Sequence, residues 1–189
     1  MQRKIVFDAF GTLICRTRPR LNPYGRLLAG AGPATPRLPF LTRNVPIEVF
    51  AQELGLESLQ PAIYQELAED LTGYRLFEDV APTLQRLRAD GCRIVVCSNL
   101  AHPYAEVVRR LLPGLDGYIF SFQVGAKKPD PAIYRAVCET LDCRPNEALF
   151  VGDSQRADVD GPRRFGMSAR LIDRRGRQTL DEVLRCEMN

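Results

Sequence analysis

Short apolar runs recur along this chain, each followed by a turn and then a longer segment of helical period, and that alternation restricts the folds open to it. The runs are Lys4 to Phe7, Arg93 to Cys97, Tyr118 to Phe120, Ala148 to Val151 and Ala169 to Ile172. They are nearly continuous in hydrophobicity, as strands covered on both faces are. Between them, Val80 to Arg88, Pro103 to Leu112 and Pro131 to Leu141 carry apolar residues at helical spacing, and Gly91 stops the first of these. The alternation predicts an α/β fold, a Rossmann-like doubly wound parallel sheet. Its ligand site belongs at the carboxyl ends of the strands.

Residues 14–77 interrupt the alternation. Their first half is rich in Pro and Gly (Pro19, Pro23, Pro33, Pro36, Pro39, Pro46, Gly25, Gly30, Gly32), and their second half reads as helical over Pro46–Leu54 and Leu59–Leu71. The expected organisation is a core of residues 1–13 and 78–189, with a small, mostly helical insert after the first strand. Gly30 to Pro39 reads either as a mobile lid or as a plain connection. Arg174 to Asn189 reads as a last surface helix. A chain of 189 residues suits this plan of one domain with a modest insert.

Composition narrows the function classes. The chain is 45% hydrophobic and 26% charged, ordinary for a soluble globular protein. A net charge of +3 is too small to argue for nucleic acid. No apolar run is long enough for a membrane span, and Met1-Gln2-Arg3-Lys4 leads directly into Ile5, so a cytoplasmic protein is expected. The six cysteines (15, 92, 97, 138, 143 and 186) include no Cys-x-x-Cys pair, which favours reduced, mostly buried thiols over a zinc site.

Four short elements follow strands or open a helix. Asp8-Ala9-Phe10-Gly11-Thr12-Leu13 comes directly after the first strand, where an aspartate is presented to ligand and Gly11 allows a close turn. Ser98-Asn99 ends the second strand with a hydroxyl and an amide that suit anion oxygens. Lys127-Lys128-Pro129-Asp130-Pro131 fixes an extended approach to a helix, with Lys128 able to neutralise negative charge. Gly152-Asp153-Ser154, with Asp158, adds carboxylates that make a hard oxygen site suited to magnesium. Each element alone is common turn or cap material. Their order at successive strand ends is specific.

In that order the four elements resemble the motifs of the haloacid dehalogenase superfamily of hydrolases, from residue 4 to about 172 apart from the insert, which stands where that superfamily places a helical cap. The resemblance implies Asp8 as a nucleophile forming a covalent aspartyl intermediate. It implies Mg2+ held by Asp8, the Phe10 carbonyl and Asp153, with Asp158 as a direct or supporting partner. It implies Lys128, Thr12 and Ser98, beside Asn99, on the transferring group of a small anionic, phosphorylated substrate.

The chain departs from the pattern at Phe10. Phosphatases of the superfamily usually carry there an aspartate that protonates the leaving group. An aromatic residue there is closer to the dehalogenase branch, which does not use magnesium, yet Asp153 and Asp158 are retained. The chain therefore keeps the cation site and lacks the acid. Three readings follow: a magnesium-dependent phosphatase of a small metabolite, a metal-independent 2-haloacid dehalogenase, or a weakly catalytic or non-catalytic binding protein. His102, four residues after Ser98, stands as a replacement acid or as a surface residue. Residues 14–47 hold six arginines (16, 18, 20, 26, 37 and 43) and no acid, a formal charge of +6. They form either a solvated basic loop or, through Arg16 and Arg18, a grip on an anionic substrate.

Overall fold

The computed structural model describes residues 2–19, 21–36 and 39–185. The strands are β1 (Lys4–Phe7), β2 (Ile14–Arg16), β3 (Tyr74–Leu76), β4 (Arg93–Ser98), β5 (Gly117–Phe120), β6 (Ala148–Gly152) and β7 (Ser168–Leu171). The α-helices are α1 (Pro23–Ala31), α2 (Pro39–Thr42), α3 (Ile47–Glu53), α4 (Gln60–Thr72), α5 (Val80–Ala89), α6 (Tyr104–Leu111), α7 (Ser121–Val124), α8 (Pro131–Leu141), α9 (Gly161–Phe165) and α10 (Leu180–Arg185). A π-type turn spans Gln155–Asp160. Arg20, Arg37, Cys186 and residues 186–189 of the expected last helix lie outside the described residues.

The central sheet has the order β5-β4-β1-β6-β7, and every pairing in it is parallel. Alternate residues of its inner strands enter different cores. Ile5, Phe7, Ile94, Val96, Leu149 and Val151 pack on one face with α5, α6 and α10. Val6, Val95, Cys97 and Phe150 pack on the other with α8. That two-sided burial is the physical reason the strands read as continuous apolar runs. The expected doubly wound α/β fold is the fold found. Chain order reverses at β1, with β4 on one side and β6 on the other, so the crevice forms where these three strands end.

The segment between β1 and α5 differs from its expectation in two ways. It opens and closes with an antiparallel pair, β2 against β3, with Cys15 opposite Arg75. Strands of three residues, a whole segment apart, show no period to read. Its Pro/Gly-rich half also forms α1, started by Asn22, whose side chain accepts from the Gly25 N–H, and by Pro23 in the first turn. Residues 30 and 31 therefore belong to a helix, and the lid reading shrinks to the turn after it. Tyr24, Leu27, Phe40, Ile47, Phe50, Ile63 and Leu67 form a separate apolar cluster that reaches Ala101, just beyond β4.

The C-terminal stretch also differs. Residues 174–177 form a turn and not a helix, and α10 buries Leu180, Val183 and Leu184 in the first core, so it is a docked helix. Among the described residues, no helix is long and apolar enough to cross a membrane. The described cysteines are all free thiols, with Cys92, Cys97 and Cys138 buried.

Packing is close where α8 meets the start of α9. Tyr134 is fully buried and donates its hydroxyl to the Ala157 carbonyl at 2.7 Å, anchoring the π-type turn. A Cβ on Gly161 would collide with that hydroxyl and approach Pro129 Cβ to 2.9 Å. Gly161→Ala is therefore expected to cost about 2 kcal/mol of unfolding free energy. Tyr134→Phe in the same chain should return part of that loss, and a denaturant titration of the four-member cycle measures it.

Candidate active site

Asp8 continues β1 by donating its N–H to the Val151 carbonyl at 2.9 Å, and the chain then folds back on itself. The Ala9 carbonyl accepts from the N–H groups of Leu13 and Ile14 at 2.8 and 2.9 Å. Gly11 has φ +88°, and a Cβ there would overlap the Asp153 carboxylate. Only glycine allows the Asp8 loop to lie against the end of β6.

Lys128 closes the site from the loop before α8. Its ammonium donates to Asp8 Oδ1 (2.7 Å), Asp158 Oδ1 (2.6 Å) and the Cys97 carbonyl (2.8 Å), which uses all three of its protons. Ser98 Oγ donates to the same Asp8 oxygen at 3.2 Å. The Asn99 side chain is turned to the Lys128 backbone, accepting from its N–H at 2.8 Å and donating to its carbonyl at 2.9 Å. Asn99 thus orients the lysine loop, whose Lys128–Pro129 peptide is cis. Asp158 Oδ2 accepts from the Ser154 N–H at 2.9 Å, so both of its oxygens are committed.

Asp8 is 6% exposed, Lys128 3% and Asp158 1%, whereas Asp153 is open to solvent. Ligand oxygens of Asp8, Asp153 and Asp158 lie within 4.8 Å of one another. Three carboxylates face one ammonium, so these four side chains together carry an excess of negative charge. Burial raises the Asp8 carboxyl to about 6, with Lys128 opposing and Asp158 and Asp153 adding to the rise. Burial would lower Lys128, but Asp8 and Asp158 outweigh it and hold the ammonium protonated. Partial desolvation, then Asp158, raises Asp153. A hard divalent cation is the group that relieves such crowding, and the all-oxygen donor set fits one. Thr12 is fully buried and its hydroxyl has no partner, which suits a hydrogen bond to a bound anion.

The other expected residues are placed differently. Phe10 packs edge-on against Tyr74 (5.0 Å between centroids) and Tyr104 (6.1 Å). Arg16 donates to Asp70 at 2.7 Å and lies over the Tyr74 ring, 4.7 Å from its centroid. Arg18 is exposed. His102 is exposed too, with its ring against Phe122 at 5.4 Å, and the structure shows no contact between it and Asp8. Asp70 escaped the sequence reading. It is buried and accepts from Arg16, Tyr74 (3.0 Å) and Tyr104 (2.8 Å), tying α4 to β2, β3 and α6. An aspartate near the end of an amphipathic helix looks solvated in a sequence, and two of its three partners, Arg16 and Tyr104, come from distant segments.

Residues 3–166 match the haloacid dehalogenase-like hydrolase family. The chain is 36% identical to the glyceraldehyde 3-phosphate phosphatase of Methanopyrus kandleri over 106 residues, covering 53% of this chain and 44% of that protein. It is 30% identical to (S)-2-haloacid dehalogenase 4A of Burkholderia cepacia over 125 residues, 65% of this chain and 51% of that one. The chain thus spans about half the length of these curated relatives. A family enzyme of Bacteroides thetaiotaomicron, solved as a magnesium complex, superposes with a TM-score of 0.74 at 17% identity, over 97% of this chain and 98% of that one. The chain belongs to the haloacid dehalogenase-like hydrolase family.

The raised Asp8 carboxyl gives a signed expectation for the protein without metal. The folded state holds the Asp8 proton up to about pH 6, and the unfolded state loses it near its ordinary value of 3.8. Ionised Asp8 is therefore a stability cost above pH 6, and the cost fades as pH falls from 6 towards 4. Asp8→Asn should melt higher than wild type at pH 7.5 with chelator present, and the gap should close by pH 4. Equal melting at pH 7.5 would show that Asp8 is not desolvated as described.

Proposed function

We propose that this member of the family is a magnesium-dependent phosphohydrolase acting on a small phosphorylated metabolite, with Asp8 as its nucleophile. The observation that carries the reading is the buried contact of Lys128 with both Asp8 and Asp158, beside an Asp153 carboxylate left open to solvent. Asp8, Asp153 and the Phe10 carbonyl would hold Mg2+. The cation supplies charge neutralisation for an anionic substrate approaching an anionic nucleophile. Asp158, with both oxygens engaged, orients Lys128 and the turn after β6.

The protein's residues then divide the work. Ser98 and Lys128 fix Asp8 Oδ1, aiming the carboxylate at phosphorus. Lys128 and the Thr12 hydroxyl stabilise charge on the phosphoryl oxygens. The Asp8 oxygen–phosphorus bond forms as the bond to the leaving oxygen breaks. Water then attacks phosphorus, releasing inorganic phosphate and restoring the carboxylate. Phe10 has no proton to give, so leaving groups of low basicity, such as acyl or aryl oxygens, should be favoured. The missing acid is worth about two to four powers of ten. Residues 14–77 act as the cap in this reading, and Arg16, steadied by Asp70 and Tyr74, offers its remaining donors to a second anionic group of the substrate. Arg18, exposed two residues further on, would be a further basic contact in this reading.

Phe10 also favours the dehalogenase reading, since a leaving halide needs no proton, and one similar protein is a 2-haloacid dehalogenase. The three crowded carboxylates oppose it. Hydrolysis of p-nitrophenyl phosphate with and without Mg2+ separates the two. Turnover should require the cation and fall about a thousandfold or more in Asp8→Asn. Halide release from a 2-haloacid in the presence of chelator would overturn the proposal. Phe10→Asp should raise turnover of alkyl phosphates by about 10- to 100-fold. The same change should lower the melting temperature, because the Tyr74–Phe10–Tyr104 packing is lost.

A further inference from the structure

Arg174 lies just beyond β7, in a stretch whose sequence carries no motif. Its Nε and Nη2 donate to the Thr12 carbonyl at 2.9 and 2.7 Å. Its Nη1 donates to Asp79 Oδ1 and Oδ2 at 3.0 and 2.9 Å and to the Gln178 carbonyl at 3.0 Å. The guanidinium lies 4.3 Å from the centroid of the Phe77 ring, and the side chain is 9% exposed. One buried fork therefore joins the end of the nucleophile loop, the chain returning from β3 and the C-terminal segment. Asp79 in turn accepts from the Leu180 N–H at 2.7 Å, which ties α10 to the same point.

The placement bears on the gap between Asp8 and Asp153. β7 pairs with β6, and the Ile172 N–H donates to the Gly152 carbonyl at 2.9 Å, one residue before Asp153. Arg174 is two residues further on. It therefore links the strand pair that carries Asp153 to the loop that carries Asp8. That loop touches Asp153 at Gly11, where there is no room even for a Cβ. On its other side the Thr12 hydroxyl is buried without a partner, next to the carbonyl that Arg174 grips. Here Nε and Nη2 converge on one carbonyl while Nη1 meets a carboxylate, a planar three-nitrogen geometry that an ammonium cannot reproduce.

We propose that Arg174 is a positioning residue: by clamping the Thr12 carbonyl against Asp79 it sets the distance between the Asp8 loop and Asp153, and with it the alignment of the nucleophile. The role presupposes the phosphohydrolase reading for its kinetic effect, but its structural effect can be measured without substrate. A misalignment of about 1 Å at a reacting centre costs on the order of a hundredfold in rate.

Arg174→Lys keeps the charge and folds with a lowered melting temperature. Its kcat on p-nitrophenyl phosphate should fall about 10- to 100-fold, with KM changed less than about threefold. Leu141→Ala, in the other core at the far end of α8, serves as a stability match and should keep its kcat below its melting temperature. Millimolar guanidinium should restore part of the kcat of Arg174→Ala and none in Leu141→Ala. In the resting protein, the amides of Leu13 and Ile14 should exchange with deuterium faster in Arg174→Lys and not in Leu141→Ala. An unchanged kcat in Arg174→Lys, or an equal loss in Leu141→Ala, overturns the proposal. If wild type shows no turnover, the phosphohydrolase reading fails, and unchanged exchange at Leu13 and Ile14 then overturns the clamp by itself.

Discussion

The Lys128 ammonium is buried at the end of three strands, with its protons on Asp8, Asp158 and the Cys97 carbonyl. A charge so placed is tolerable only with its hydrogen bonds complete and opposite charge at hand. The surroundings meet both needs. β1 brings Asp8, β4 brings the Cys97 carbonyl and Ser98, and the turn after β6 brings Asp158. Asn99 holds the lysine backbone in place. The sheet order puts these strand ends side by side, so the fold itself assembles the ion cluster. The remaining negative charge, centred on Asp8 and Asp153, is the feature on which the proposed cation and anionic substrate rest.

Phe10 shows how packing and chemistry compete at one position. Its ring fills the space between Tyr74 and Tyr104, whose hydroxyls both donate to Asp70. A carboxylate at position 10 would leave that aromatic space unfilled. The polar network around Asp70 instead ties the helices of residues 14–77 to α6, and it fixes Arg16 against Tyr74. The loss of a proton donor and the gain of a rigid junction follow from the same residue.

How much was legible from sequence depends on the range of the interactions. β1, β4, β6 and α8 were readable because local hydrophobic period and turn residues specify them, and the structure brings together Asp8, Ser98, Lys128, Asp153 and Asp158, which the sequence places at or shortly beyond strand ends or before α8. The β2–β3 pair, Asp70 and Arg174 were not. Each depends on a partner tens of residues or more away, and Arg174 and Thr12 are 162 positions apart. Arginines at 16 and 18 looked alike in the sequence. A buried carboxylate on α4 distinguishes them, engaging Arg16 and leaving Arg18 in solvent. Asn22-Pro23 was a start signal for α1 that the surrounding prolines and glycines obscured.

The proposed reaction turns on a carboxylate oxygen of Asp8 bonding to phosphorus. The most direct measurement is to quench the enzyme during turnover of an aryl phosphate, reduce it with borohydride and sequence its peptides by mass spectrometry. An acyl phosphate on Asp8 would be reduced to homoserine, and the account predicts homoserine at position 8 and nowhere else. Sustained turnover with an unmodified Asp8, or with the label on another residue, would contradict it.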